Sequence, residues 1–302
     1  MKDNIITRNV ARQALRAAIK DPDTNIPKMI DLVEKFDRKG INKKAYNNLR
    51  NSLNNPEDNW NILLHNLTRN VDPEVLEKMV MSLGFHSAIA SAGQRMENID
   101  KYGCNIPWLI LFDPTMACNM HCIGCWSGTY GHKASLSYEE MDKIVTEGKA
   151  LGVHIYMLTG GEPLVRKDDL LSLCKKHSDC FFAAYTNSTL ITEELCQQVV
   201  DLGNLTFLVS IEGTPETNDA RRGEGHYDTV MQAMDLLKRY GIIFGTSVCY
   251  TRDNIEAVTS DEFLNLLAEK GAHFGFYFHY MPVGNNAVPE LMPTAEQRRA
   301  MI

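Results

Sequence analysis

The sequence predicts an α/β fold built on a parallel sheet, preceded by an all-helical region. Three observations carry this expectation. Before about residue 105, apolar residues recur at three- and four-residue spacing and no strand-like alternation is visible. From Pro107 onward, short apolar runs alternate with amphipathic segments. Strands separated by helices of that length imply parallel pairing through right-handed crossovers.

Taken in order, Ala11–Lys20 and Ile26–Phe36 have helical spacing, and Asp72 is placed to cap a helix over Pro73–Leu83 with proline at its first position. Phe85–Met96, rich in Ala and Ser, reads as a further helix. The strand candidates are Trp108–Asp113, His154–Thr159, Phe181–Thr186, Leu205–Ile211, Ile242–Tyr250 and His273–Tyr280. Between them lie helical patterns at Tyr138–Leu151, Asp168–His177, Thr192–Leu202, Tyr227–Tyr240 and Asp261–Lys270. Gly152, Gly203, Gly241 and Gly271 stand where helices stop. Six strands fall short of the eight of a closed barrel, so an open barrel and a doubly wound sheet both fit. On the last strand, Phe274, Phe276, Phe278 and Tyr280 share one face, which reads as core packing under helices. Thr294 and Gln297 form a capping-box pair, but the helix they open has few residues before Ile302. Residues 293–302 are therefore expected to begin an extension that continues in a longer protein.

The 302 residues are 44% hydrophobic and 23% charged, with a net charge of −7. That balance argues against broad binding of a phosphate backbone, and hence against a nucleic-acid partner. The amino terminus lacks a signal-peptide pattern, and no apolar run approaches the ~20 residues of a membrane span. A cytoplasmic location is the expectation. In that setting, eight cysteines point to metal binding, catalysis or burial rather than to disulfides.

Three of the eight, Cys118, Cys122 and Cys125, fall within one short loop directly after the first predicted strand. Parallel α/β folds build their sites at that end of the sheet. A closed zinc site or a fully ligated cubane wants four protein ligands, so three thiolates leave one position of a metal centre open. An open iron corner suits the amino and carboxylate groups of a methionine moiety. The alternative is a non-enzymatic zinc-binding scaffold completed by His121 or His132, although no second Cys-x-x-Cys arm is present.

The spacing Cys118-x3-Cys122-x2-Cys125 resembles the hallmark loop of the radical S-adenosylmethionine (SAM) superfamily, and the resemblance extends from Trp108 to about Pro282. Gly160-Gly161-Glu162-Pro163, after the second strand, resembles the family's methionine-binding turn. Two glycines permit close backbone approach there, and a carboxylate suits an ammonium group. Thr186-Asn187-Ser188 resembles the family's Thr-Asn-Gly turn, with Thr186 or Asn187 as hydrogen-bonding partners for SAM. Ser210 and Glu212 share a strand face and suit a ribose, while Arg222 occupies the position of a family arginine that would pair with the SAM carboxylate. Many family members carry an aromatic residue before the third cysteine; here Gly124 stands there and Trp126 follows.

The resemblance implies a partial (β/α)6 TIM-like barrel over 106–292; the helical periodicity before Ile106, with no metal or nucleotide motif there, makes residues 1–105 a helical cap expected beside it. It implies a 4Fe–4S cluster on Cys118, Cys122 and Cys125 that cleaves SAM reductively to a 5′-deoxyadenosyl radical. That radical abstracts hydrogen from a peptide, a protein or a small metabolite in an oxidoreductase- or transferase-type reaction. It also implies flavodoxin or ferredoxin as the electron donor.

Overall fold

The computed structural model describes residues 5–36, 40, 43–130, 133–284 and 286–301. His132, one of the two candidate zinc ligands, lies outside them. The first hundred residues form helices α1 (Ile5–Lys20), α2 (Pro22–Phe36), α3 (Lys43–Leu53), α4 (Asn59–Asn70) and α5 (Pro73–Val80), a π-helical stretch Met81–Ala90, and α6 (Ala92–Tyr102). Asp72 caps α5 as its sequence predicts, accepting from the amides of Glu74 (2.8 Å) and Val75 (3.1 Å). Helix α3 fully buries none of its residues, but its partly buried Tyr46, Leu49 and Leu53 pack against the cluster of Ala18, Ile26 and Ile30 on α1 and α2. Arg50 adds ion pairs to α2, reaching Asp31 at 2.7 Å and Glu34 at 2.5 Å.

The core follows as β1 (Ile110–Thr115), α7 (Tyr138–Leu151), β2 (Ile155–Gly160), α8 (Lys167–Lys176), β3 (Phe181–Thr186), α9 (Glu193–Leu202) and β4 (Leu205–Ser210). It continues through α10 (Pro215–Arg222), α11 (His226–Arg239), β5 (Phe244–Tyr250), α12 (Ile255–Val258), α13 (Asp261–Glu269), β6 (Phe274–His279) and α14 (Ala295–Ala300). All neighbours pair in parallel, and the spatial order β1 to β6 is the chain order. A doubly wound sheet would reverse its order at a switch point, and this one does not.

The sheet also curls. Strands β3 and β6 are three steps apart, about 14 Å in a flat sheet, yet the rings of Tyr185 and Phe278 approach to 6.1 Å between centroids. This is an open six-stranded barrel with β1 and β6 as its unpaired edges. Outward-facing residues such as Tyr156, Leu158, Phe182, Phe207, Val209 and Phe244 pack under the helices in one continuous core.

The inner face is filled only at its amino-terminal end. There Val75, Leu76 and Met79 of α5 pack against Ile155, Phe181, Ala183, Leu208 and Ile243. Two helix-ending glycines make room for this. A Cβ on Gly203 (φ 70°) would meet the Lys78 side chain at 2.3 Å, and one on Gly241 (φ 63°) would meet the Asp72 backbone nitrogen at 2.6 Å. Asp72 N–H donates to the Gly241 carbonyl, and Lys78 Nζ donates to the Asp201 carbonyl at 2.6 Å. Helix α5 therefore closes the end of the barrel opposite the cysteine loop, so it does not shield the end where the loop lies.

The aromatic stripe of β6 corrects the sequence expectation. Phe274, Phe276 and Phe278 are not under helices; they are 38%, 43% and 46% exposed. They alternate with Tyr277, whose hydroxyl donates to the Val258 carbonyl on the helical side, so the three phenylalanines face the open interior. Tyr280, past the strand, is buried. The pattern of alternation was read correctly, but an edge strand of an unclosed barrel has no neighbour to cover its inner face.

Candidate functional site

Three strand ends and one helix hold the cysteine loop. At its root, the amides of Gly161 and Glu162 donate to the carbonyls of Thr115 and Ala117, both at 2.8 Å. Ala117 N–H donates to Thr115 Oγ1 at 3.0 Å. Within the loop, Asn119 Nδ2 donates to Thr189 Oγ1 at 2.7 Å, and Ile123 N–H donates to the Arg221 carbonyl at 2.9 Å. The turns after β2 and β3 and helix α10 thus fix the loop from three sides.

Gly160 and Gly161 are required by this packing. A Cβ on Gly160 (φ 102°) would lie 2.4 Å from the Thr115 carbonyl oxygen, and one on Gly161 would lie 2.2 Å from that of Ala117. The close approach these glycines permit is between two backbones. Glu162 is fully buried and accepts from Leu164 N–H (3.0 Å), Thr186 Oγ1 (2.9 Å) and Asn187 N–H (2.7 Å). Burial pushes its carboxyl above the usual range, against the pull of those donors. Thr186 and Glu162 therefore spend their polar atoms on tying the β2 turn to the β3 turn. Ser188 carries φ 71°, the left-handed conformation for which glycine is the unstrained choice.

The opposite wall is charged. Ser210 is half-buried at the end of β4, and Glu212 is wholly buried two residues later. Arg221 and Arg222 both donate to Glu212 Oε1, Arg222 through Nε at 2.9 Å and Nη2 at 2.7 Å. Glu212 Oε2 is buried and finds no partner among the described residues. Both arginines also bear on Cys122: burial raises its pKa, while Arg222 and then Arg221 draw it back toward the thiolate. Burial works against the charge of Arg221, yet Glu212 and the thiols of Cys249, Cys122 and Cys125 hold it above the guanidinium range.

A second tier of residues backs this wall. Asn218, which opens the Asn218–Gly223 segment where the family resemblance commonly has histidine, is fully buried; its Oδ1 accepts from Glu212 N–H at 3.1 Å. Its Nδ2 therefore donates to His226 Nδ1 at 3.0 Å, which places the imidazole hydrogen on Nε2, 3.0 Å from the Asn187 carbonyl. One neutral histidine thus joins the Glu212 turn to the Asn187 turn. Its signal in the sequence was absent, because His226 opens α11 and reads as an ordinary first-turn residue. Tyr280, at the carboxyl end of the sixth strand, does approach the cysteine loop: its phenol oxygen would lie 2.4 Å from a Cβ on Gly124 (φ 66°), and its ring lies 5.9 Å from the Arg221 guanidinium. An aromatic side chain at position 124 would collide with it. Trp126 is 44% exposed.

His226 gives a pH prediction. Burial first, then the charge of Arg222, lowers its pKa from 6.5 to about 4. Between those values the unfolded chain binds a proton that the folded chain refuses, so stability falls as pH drops through this window and levels off below it. His226→Gln apoprotein should lose less stability than wild type between pH 6.5 and 4, by on the order of 2–3 kcal/mol. Urea unfolding midpoints across the window measure this; parallel slopes for the two proteins would exclude the assignment.

Comparison with known proteins agrees with this geometry. The profile of the Radical SAM superfamily matches residues 113–268, more than half of the chain. The mycofactocin maturase MftC of Mycolicibacterium smegmatis is 31% identical over 206 residues, covering 66% of this chain and 52% of the relative. The AdoMet-dependent heme synthase of Methanosarcina barkeri is 27% identical, covering 65% of this chain and 57% of its own. The chain thus spans about half the length of these curated relatives. Among solved structures, Streptococcus suis SuiB bound to S-adenosylmethionine superposes with a TM-score of 0.58 at 19% identity, over 69% of this chain and 49% of that one. The chain belongs to the radical SAM superfamily, whose cofactors are a 4Fe–4S cluster and SAM. The donor set fits them: three thiols in one loop for the cluster, and a buried carboxylate oxygen without a partner across from it. Nothing in these comparisons supports the zinc scaffold.

Proposed function

We propose that this enzyme uses Cys118, Cys122 and Cys125 to hold the cluster and the wall formed by Ser210, Glu212 and Arg222 to receive SAM. When bound, the cluster and SAM supply an electron and a carbon radical that removes hydrogen from a substrate. The observation that carries the reading is the loop of three thiols pinned between the β2 and β3 turns and α10. Glu212 Oε2 supports a hydroxyl donor such as a ribose, because an unpaired buried acceptor gains most from a partner. Arg222 retains donors beyond the two given to Glu212, which supports pairing with a carboxylate. Gly160, Gly161, Glu162, Thr186 and Asn187 support SAM binding from beneath, by fixing the loop.

For the substrate, the reading is a peptide or an extended metabolite with an apolar group. The open aromatic face of Phe274, Phe276 and Phe278 supports it, as do the names of similar proteins, which include a mycofactocin maturase, a heme synthase and SuiB bound to its precursor peptide SuiA. A flavodoxin or ferredoxin would deliver the electron in an oxidoreductase- or transferase-type reaction. No helix among the described residues is long and apolar enough to cross a membrane, which is compatible with a cytoplasmic enzyme. The same proposal divides the chain at 105/106. Helix α5 at the closed end of the barrel supports a helical unit that braces the core.

Anaerobically reconstituted protein given SAM and dithionite is expected to bind about four irons and release 5′-deoxyadenosine. A colourless protein with one zinc per chain and no 5′-deoxyadenosine would sink the reading.

A further inference from the structure

We propose that Asn187 donates a side-chain N–H to the sulfur of Cys118 and thereby raises the reduction potential of the cluster; this rests on the cluster reading above. Asn187 Nδ2 lies 3.8 Å from Cys118 Sγ and 2.8 Å from Asn119 Oδ1. A side-chain amide can be built either way round, so the orientation has to be fixed by its partners. Here it is fixed twice. Thr189 N–H, which can only donate, points at Asn187 Oδ1 at 3.0 Å. Thr189 Oγ1 lies 2.7 Å from the same oxygen and itself accepts from Asn119 Nδ2 at 2.7 Å, so its hydrogen goes to Asn187. The three side chains close a ring: Asn119 donates to Thr189, Thr189 to Asn187, and Asn187 back to Asn119. One amide hydrogen of Asn187 completes the ring, and the second is left for Cys118.

The backbone is equally constrained. Asn187 N–H donates to Glu162 Oε2, and its carbonyl accepts from His226 Nε2. Every polar group of Asn187 therefore has a protein partner. This assigns Asn187 to the cysteine loop rather than to direct contact with SAM, the role its sequence motif implied.

The consequence is electrostatic. One-electron reduction places more negative charge on the cluster and its thiolate sulfurs. An N–H dipole aimed at one of them stabilises the reduced form more than the oxidised form, and hydrogen bonds to sulfur are among the determinants of cluster potential. The donor is preorganised, because the ring holds it before the electron arrives.

The test is a mediated redox titration of the full-length reconstituted chain without SAM, read by EPR of the reduced cluster. Asn187→Leu keeps the backbone bonds and removes the donor. Asn187→Asp keeps the acceptor for Thr189 and puts negative charge in the donor's place. At the potential where half of the wild-type cluster is reduced, the reduced-to-oxidised ratio should fall about tenfold in Asn187→Leu, a shift of about 59 mV for a one-electron couple. It should fall further in Asn187→Asp. A wild-type ratio in either variant with about four irons retained overturns the inference while leaving the cluster reading intact. Should neither variant retain its cluster, the wild type decides. With asparagine labelled by 15N at the side-chain amide, pulsed EPR of the reduced cluster should show a 15N coupling together with a proton coupling that is lost in D2O, and the absence of either overturns the inference. Failure of the wild type itself to assemble four irons removes the cluster reading and this inference together.

Discussion

Replacing Cys118, Cys122 and Cys125 together by alanine is expected to abolish the iron–sulfur absorbance of reconstituted protein and reduce SAM cleavage to background. The three thiols sit in one loop, and each lies within electrostatic reach of another: Cys118 is influenced by Cys122 and Cys125, and Cys122 by Cys125. The other cysteines are differently placed. Cys174, Cys180 and Cys196 are buried in the core under the helices, and burial pushes Cys196 up to about 11, which disfavours the thiolate a metal needs. Cys104 is exposed at the end of the helical region. Cys249 faces the interior, where burial, opposed by Arg221, raises it to about 11. Replacing these five should leave iron content unchanged. The assignment of ligands fails if the triple variant still binds about four irons.

Gly161→Val should cost nearly as much, for a reason that only the fold supplies. Read as a cofactor-binding turn, this position predicts loss of SAM cleavage with the cluster intact. In the fold, the added Cβ would stand 2.2 Å from the Ala117 carbonyl oxygen and 2.5 Å from that of Met116. Both carbonyls belong to the backbone leading directly into Cys118, so neither yields without moving the loop. The expected outcome is loss of cluster occupancy together with at least a ~100-fold loss of SAM cleavage, the scale of misplacing a reacting group by about 1 Å. Iron analysis separates the two accounts: full iron with lost cleavage restores the cofactor-contact role.

This case shows what was legible in the sequence and what was not. The β/α alternation gave all six strands, and β3 at Phe181–Thr186 and α7 at Tyr138–Leu151 have the predicted limits. Strands buried under helices advertise themselves by continuous apolar runs, and glycine marks where helices end. Helix α10 was missed because its eight residues, PETNDARR, contain almost no apolar side chain. Motifs single out candidate site residues, but not the partners those residues have in the fold. Spacing identifies Glu162, Thr186 and Asn187 as a set; only the fold shows that they bind one another. Asn218 and His226 meet through the turn between α10 and α11, a distance that no local pattern encodes.

The placement of α5 also fixes an order of events during synthesis. Val75, Leu76 and Met79 are made early, but their packing partner Ile243 leaves the ribosome roughly 160 residues later. At 5–20 residues per second that interval is about 10–30 s. Through it the apolar face of a short helix has no finished barrel to enter, and the nascent amino-terminal segment depends on its own packing, Leu15 against Met81 and Phe85, or on a chaperone, to stay out of aggregates. Burial of that face begins with Ile155 of β2 and is complete only when Ile243, at the entry to β5, has been made.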